Sequence, residues 1–246
     1  MDDFPIMTSR IKKLITILRT PYYRQVFFRY QVAATVEHDT LLQKIGVELK
    51  TVVDIGANRG QFALAARQHS PEAYIFAFEP LEEAAEVFAK VFKADPCVEL
   101  HRCAIGIKQG EVVMHVSRAD DSSSLLPISD LQHQLFPGTK EKGTRRVIVT
   151  PLDAALFPAQ VQAPTLLKID VQGYELEVLK GSTSLLGCFD FLLVECSYLE
   201  LYTGQALADE VVRYAEKAGF KLMERFNLIR DKNGDALQAD FFFRRM

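Results

Sequence analysis

Cysteine is scarce in this chain of 246 residues, and it is not grouped. Cys97, Cys103, Cys188 and Cys196 form no CxxC pair and no zinc-type spacing, which excludes a disulfide framework and a structural metal and fits a reducing, cytoplasmic setting. Long apolar runs are missing too. The segment "LITIL" is shorter than the apolar region of a secretory signal, and nothing approaches the ~20 residues of a membrane span. A large excess of one charge is absent, the formal net charge being −3, so no broad nucleic-acid surface is expected. Internal repeats and low-complexity tracts are absent as well. What is present, 48% hydrophobic and 25% charged residues, is the composition of a folded globular protein.

Two organisations follow one another along the chain. Residues 1–46 read as a helical extension, with Ile11, Leu14, Ile15 and Leu18 at the spacing of one helical face and a break at Thr20 and Pro21. That face needs a cover: helices packed across the edge or mouth of the next domain, a homodimer contact, or a membrane-surface helix. Residues 47–246 then alternate strand and helix. "TVVDIG", "YIFAFEP", "VELHRCAIG", "PTLLKID" and "FDFLLVECS" are the buried strands, and crossover helices between them imply a parallel sheet with its ligand sites at the carboxyl ends. "GEVVMHVSR" reads as an extra antiparallel strand, and the polar stretch from Ala119 to Arg146 as a loop or lid. "FKLMERF", the turn "DKNG" and "ADFFFRR" make a closing hairpin.

The glycine turn "VVDIGANRGQF" raises the question of which nucleotide it holds. GxxxxGK followed by Ser or Thr is absent, which removes the phosphate-cradling loop of nucleotide triphosphatases. GxGxxG is absent as well, because Asn58 stands where the pyrophosphate fingerprint has its middle glycine. An NAD-dependent oxidoreductase is therefore the weaker reading. S-adenosylmethionine, a nucleoside without phosphates, suits the turn better. Asp54 can face its cationic end, Gly56 and Gly60 permit close passage of the chain, and Glu79 at the next strand tip can accept hydrogen bonds from ribose hydroxyls. Ala104 and Ile105, at the third tip, would flank the adenine.

Together with "FEP" at Phe78–Pro80, "CAIG", "SSSL", "LLKIDVQGYELEVLKG", "VECS" and "ADFFF", this turn resembles the FkbM family of S-adenosylmethionine-dependent methyltransferases, from about residue 50 onward. The resemblance implies a class I methyltransferase (Rossmann-like) sheet of seven mostly parallel strands with an antiparallel C-terminal hairpin. It also implies methylation of an oxygen, on a sugar or natural-product hydroxyl, since the amide-reading asparagine-proline-proline-tyrosine signature is absent. By the same resemblance Ala57, Asn58, Phe62, Pro80 and Ser124 join the cofactor-binding set, and Ser123 the acceptor side.

Methyl transfer is an in-line displacement, so placing the acceptor oxygen supplies much of the rate and a base assists if the acceptor is an alcohol. Asp170, at the tip of "LLKID", is the first candidate to accept or orient the hydroxyl proton. Lys168 lies two residues earlier on the same strand face and could hold Asp170 ionised. Glu195, at the tip of the following strand, is placed in the acceptor pocket. Glu175 and His133 are further acceptor-side candidates, Glu175 doubling as a charge that suits a helix start. No metal site is assigned. The partner expected is a small hydroxylated molecule, with no nucleic acid and no membrane span; a non-catalytic module built on the same fold, serving as a partner subunit through its N-terminal helices, is the rival.

Overall fold

The structure, a computed structural model, describes residues 4–246. Helix α1 (Phe4–Arg19) stops at Thr20, and α2 (Pro21–Tyr30) starts on the proline, which lacks an N–H and is pre-set for a first helical turn. A single turn at 36–38 leads into α3 (Asp39–Ile45), which ends on the left-handed Gly46. The α/β alternation follows as β1 (Thr51–Ile55), α4 (Gln61–His69), β2 (Tyr74–Phe78), α5 (Glu82–Val91) and β3 (Val98–His101). After an excursion described below come α7 (Leu152–Ala155), β7 (Thr165–Ile169), α8 (Glu175–Lys180), β8 (Phe191–Ser197), α9 (Ala208–Lys217), β9 (Phe220–Arg230) and β10 (Ala236–Arg245).

Seven strands form the main sheet in the order β3-β2-β1-β7-β8-β10-β9. β10 alone runs against its two neighbours, β8 and β9. This is the class I methyltransferase sheet, and its order reverses between β1 and β7, where the carboxyl ends of adjacent strands open a crevice. All five residues of β1 and of β7 are buried, as expected of strands covered on both faces. Side-chain alternation sends Val52, Ile75, Leu166 and Leu193 to one core, shared with α4, α5 and the N-terminal helices. Val53, Phe76, Leu167 and Leu192 go to the other, under α8 and α9.

Two expectations require correction. The stretch Ala119–Arg146 is not one long loop. After β3 the chain leaves the main sheet, and β4 (Ala104–Ile105), β5 (Gly110–Ser117) and β6 (Glu141–Thr150) build a separate three-stranded sheet in the order β4-β6-β5, with the short α6 (Asp130–Leu135) between β5 and β6. Met114, Val116 and Val147 bury its inner side on Leu81 and Ala84. "GEVVMHVSR" is antiparallel as expected, but to β6. The second correction concerns α1. Its face of Ile11, Leu14, Ile15 and Leu18 points outward, 49%, 45%, 43% and 37% exposed, while Ile17 is buried. The domain is met instead through Ile17, Tyr23, Val26 and Val32. At about 1.5–3 kcal/mol per buried large side chain, the second half of α1 is held mainly by Ile17. Among the described residues no helix is long and apolar enough to cross a membrane.

Candidate active site

The carboxyl ends of β1, β2, β7 and β8, the side sheet and the N-terminal segment enclose a cleft of about 790 Å³. That is enough for a nucleoside and a second small molecule. One half belongs to β1 and β2. The amides of Gly56 and Ala57 each donate to the Phe78 carbonyl at 3.0 Å, which folds the turn back over the tip of β2. Glu79 then accepts from the Asn58 amide at 2.9 Å and the Leu81 amide at 2.8 Å. Burial pushes its carboxyl up to about 7, against the pull of those two amides. Phe78, Pro80, Ala104, Ile105 and Met114 supply apolar wall beside it.

The other half belongs to β7, β8 and β10. Lys168 is buried and its ammonium stands 3.1 Å from Asp54 and 3.6 Å from Asp170. It also donates to the Gly56 carbonyl at 3.0 Å. Burial opposes its charge, but Asp54 and Asp170 outweigh burial and hold the group above the ordinary amine range. For Asp54 burial pushes upward and Lys168 pulls back. Gln172 donates from one amide nitrogen to Asp170 at 2.9 Å and to Glu195 at 2.6 Å, and Gln238 donates to Glu195 at 3.0 Å. Burial, then the charges of Asp170, Asp240 and Glu175, raise Glu195 well above the usual carboxylate range. His38 closes this half, 3.0 Å from Asp240, with its ring edge-on to Phe62.

Of the residues expected from sequence, Gly56, Ala57, Asn58, Phe62, Glu79, Pro80, Ala104, Ile105, Ser123, Lys168, Asp170 and Glu195 line this cleft. Five do not. Asp54 is fully buried beneath the turn, because Lys168 is its register partner on β7 and occupies the space its carboxylate would otherwise face. Gly60, at φ +95°, opens α4, where an added Cβ would come within 2.6 Å of the Phe92 ring, so it serves helix packing. Ser124 is buried and donates to the Gln172 carbonyl at 2.6 Å, tying the side sheet to the β7 loop. Glu175 accepts from the amides of Val171 and Gly173 at 3.1 and 3.0 Å, which locks that same loop from below. His133 is exposed on α6.

Sequence reasoning missed His38, Gln172, Gln238 and Asp240, together with Thr35, Glu37 and Lys13 from the N-terminal extension, all of which line the cleft. The "VQGYE" run contains Gln172, but the others carry no local signal. The lining is rich in acids: Glu37, Glu79, Asp121, Asp170, Glu195 and Asp240, against Lys13 and Lys168. The basic residues of β6 are not among them; Arg145 and Arg146 pair with Glu83 and Glu111 outside the cleft.

Residues 54–222 match the model of the methyltransferase FkbM domain. The chain belongs to the FkbM methyltransferase family. Among curated relatives of this FkbM protein, 2-O-methyltransferase NoeI of Sinorhizobium fredii is 31% identical over 165 residues, covering 63% of this chain and 66% of the relative. Hexuronic acid methyltransferase AglP of Haloferax volcanii is 29% identical over 143 residues, covering 58% and 54%. Methyltransferase 1 of Beauveria bassiana is 26% identical over 142 residues, covering 53% and 57%. The FkbM chain thus spans between about half and two thirds of the length of the relatives it matches.

Proposed function

We propose that this protein is an S-adenosylmethionine-dependent O-methyltransferase acting on a hydroxyl of a small, sugar-like acceptor. The observation that carries the reading is the two-part cleft: a nucleoside half without phosphate-binding features, continuous with a half floored by a lysine and carboxylates. Family membership supports the activity, and relatives named for 2-O-methylation and for a hexuronic acid support a sugar-like acceptor.

The residues present fit the cofactor. The Glu79 carboxylate retains acceptor capacity for ribose hydroxyls beyond its two amide partners, and Asn58 Oδ1 is buried without a partner. Gly56, Ala57, Asn58 and Glu79 would hold the nucleoside and Ala104 and Ile105 its base. S-adenosylmethionine supplies, when bound, a methyl group on a cationic sulfur. Asp170, Lys168 and Glu195 then have the task of placing the hydroxyl and handling its proton. Lys168 stands 3.6 Å from Asp170, and Gln172 fixes Asp170 and Glu195 relative to one another.

Thermal melting with saturating S-adenosylmethionine, S-adenosylhomocysteine and NAD in parallel tests the cofactor. At about 100 times the dissociation constant a ligand adds roughly 2.7 kcal/mol, a shift on the order of 5–10 °C for this size. The two adenosyl ligands should shift the protein and NAD should not; silence from both would favour a non-catalytic module. With an acceptor in hand, Asp170→Asn should lower kcat by about 10²–10⁴ if the carboxylate takes the proton. Undiminished transfer would remove Asp170 from the chemistry.

A further inference from the structure

The N-terminal helices carry a surface that the methyltransferase reading leaves unused. Between residues 4 and 36 the chain has six Lys and Arg residues and no Asp or Glu, whereas the whole chain carries a net −3. Ile11, Leu14, Ile15 and Leu18 lie on one face of α1 and are 49%, 45%, 43% and 37% exposed. Lys12 and Arg19 are exposed on the same helix. On α2, Phe28 is 69% exposed, with Arg24 one turn away and Arg29 beside it, both exposed. Apolar side chains standing out of a helix and flanked only by cations are costly in water, and they match an interface of acyl chains under anionic headgroups.

We infer that α1 and α2 form a docking surface for an anionic lipid membrane. Charge selects this occupant over a second copy of the chain. A two-fold dimer through this face would bring two sets of cations together with no acid from either copy's residues 4–36 to offset them. A lipid surface of opposite charge is attracted by the exposed cations Lys12, Arg19, Arg24 and Arg29. The mode is peripheral. The helices lie in the headgroup layer and the domain stays in water.

Placement gives the surface a consequence for the site. Lys13 of α1 lines the cleft and pairs with Glu37, another lining residue, at 2.9 Å. The docking helix is therefore part of the cleft rim, and docking holds the cleft beside the lipid surface. Acceptors carried in or near the headgroup layer would be met there at raised local concentration.

The chain contains no tryptophan, so Leu18→Trp places a single tryptophan on the docking face, its emission separable from that of the tyrosines by selective excitation. Full-length protein is mixed with phosphatidylcholine vesicles containing about 30% phosphatidylglycerol, and with pure phosphatidylcholine vesicles, at low and high salt. The expected result is a blue shift of the Leu18→Trp emission, and sedimentation of the unmodified protein at least tenfold stronger on the anionic vesicles, weakening with salt. Lys12→Glu with Arg19→Glu, and separately Ile15→Glu, should each abolish sedimentation while leaving the melting temperature and S-adenosylhomocysteine titration unchanged. Equal binding to both vesicle types, or none to either, overturns the proposal. So does a dimer in solution that Ile15→Glu converts to monomer, which would assign the face to a second copy. The S-adenosylhomocysteine titration reports on the cofactor reading separately, so loss of one leaves the other standing.

Discussion

Replacing Gly56 by alanine is the sharpest test of how the turn after β1 is built. Gly56 has φ +77°, and a Cβ there would lie 1.9 Å from the Asp170 carbonyl oxygen and 3.4 Å from Val171 Cγ1. Non-bonded atoms settle near ~3.5 Å, so the turn and the β7 loop would have to part by more than about 1 Å. The left-handed backbone costs about 1–2 kcal/mol for a residue with a Cβ. Forcing the two loops apart adds about 1–3 kcal/mol. The sum, about 2–5 kcal/mol, corresponds to a fall in melting temperature of roughly 4–20 °C at ~2–4 °C per kcal/mol. Gly204→Ala is the control, because Gly204 has φ +83° with nothing within 4 Å of an added Cβ. It bears the backbone cost alone, about 2–8 °C. Melting both variants, and titrating each with S-adenosylhomocysteine, separates strain from collision. Gly56→Ala should melt below the control and bind the ligand at least tenfold more weakly, since the collision displaces Asp170. If it melts no lower than Gly204→Ala, the two loops are not packed as described and the reasoning is refuted.

Two further outcomes are expected. Lys168→Met leaves the fully buried Asp54 without its cation and should cost about 3–5 kcal/mol, while Asp54→Asn added to Lys168→Met should recover part of that loss; a double variant less stable than Lys168→Met would refute the pairing. Burial raises Glu79 from the ordinary carboxyl value of 4.5 to about 7, so the folded protein binds a proton in that window that the unfolded chain releases. Its contribution to stability is therefore present below about pH 4.5 and lost as pH rises to about 7, by roughly 3 kcal/mol. Denaturant titrations of the ligand-free protein across this range should show that loss diminished in Glu79→Gln, and an unchanged slope would count against the burial argument.

The main sheet was legible because its strands are covered on both faces and read as continuous apolar runs, as in "TVVDI" and "TLLKI". The side sheet was not. In β6 only Val147 and Val149 are buried, while Lys142, Arg145 and Arg146 face water, so the strand reads as a charged loop. Its mate β5 lies on the other side of α6, and that pairing leaves no local mark. The tips of β1, β2 and β7 identified most of the cleft, since a glycine turn or an acid after a buried strand is visible in the chain. The burial of Asp54 beneath the turn was not legible, because Lys168 sits beside it only through strand register. His38 and Asp240 are brought together across 202 residues of chain, and no spacing rule reaches that far.

The side sheet also bears on how such a protein changes over time. β5, α6 and the links on either side of α6 contribute Met114, Asp121, Ser122, Gln132 and Phe136 to the cleft, yet none of them belongs to the seven-stranded sheet. Apart from the two-residue pairing of β4 with β6, the segment is held by side-chain and loop contacts and not by the ladder of the main sheet: the small cluster on Leu81 and Ala84, the Ser124 bond to the Gln172 carbonyl, and the bonds of Ser122, Pro127, Ser129 and Gln132 to residues 201–203 after β8. A segment so mounted behaves as an interchangeable cassette. Its sequence and length can drift, and with them the shape offered to an acceptor, while the nucleoside half and the folding of the central sheet stay as they are.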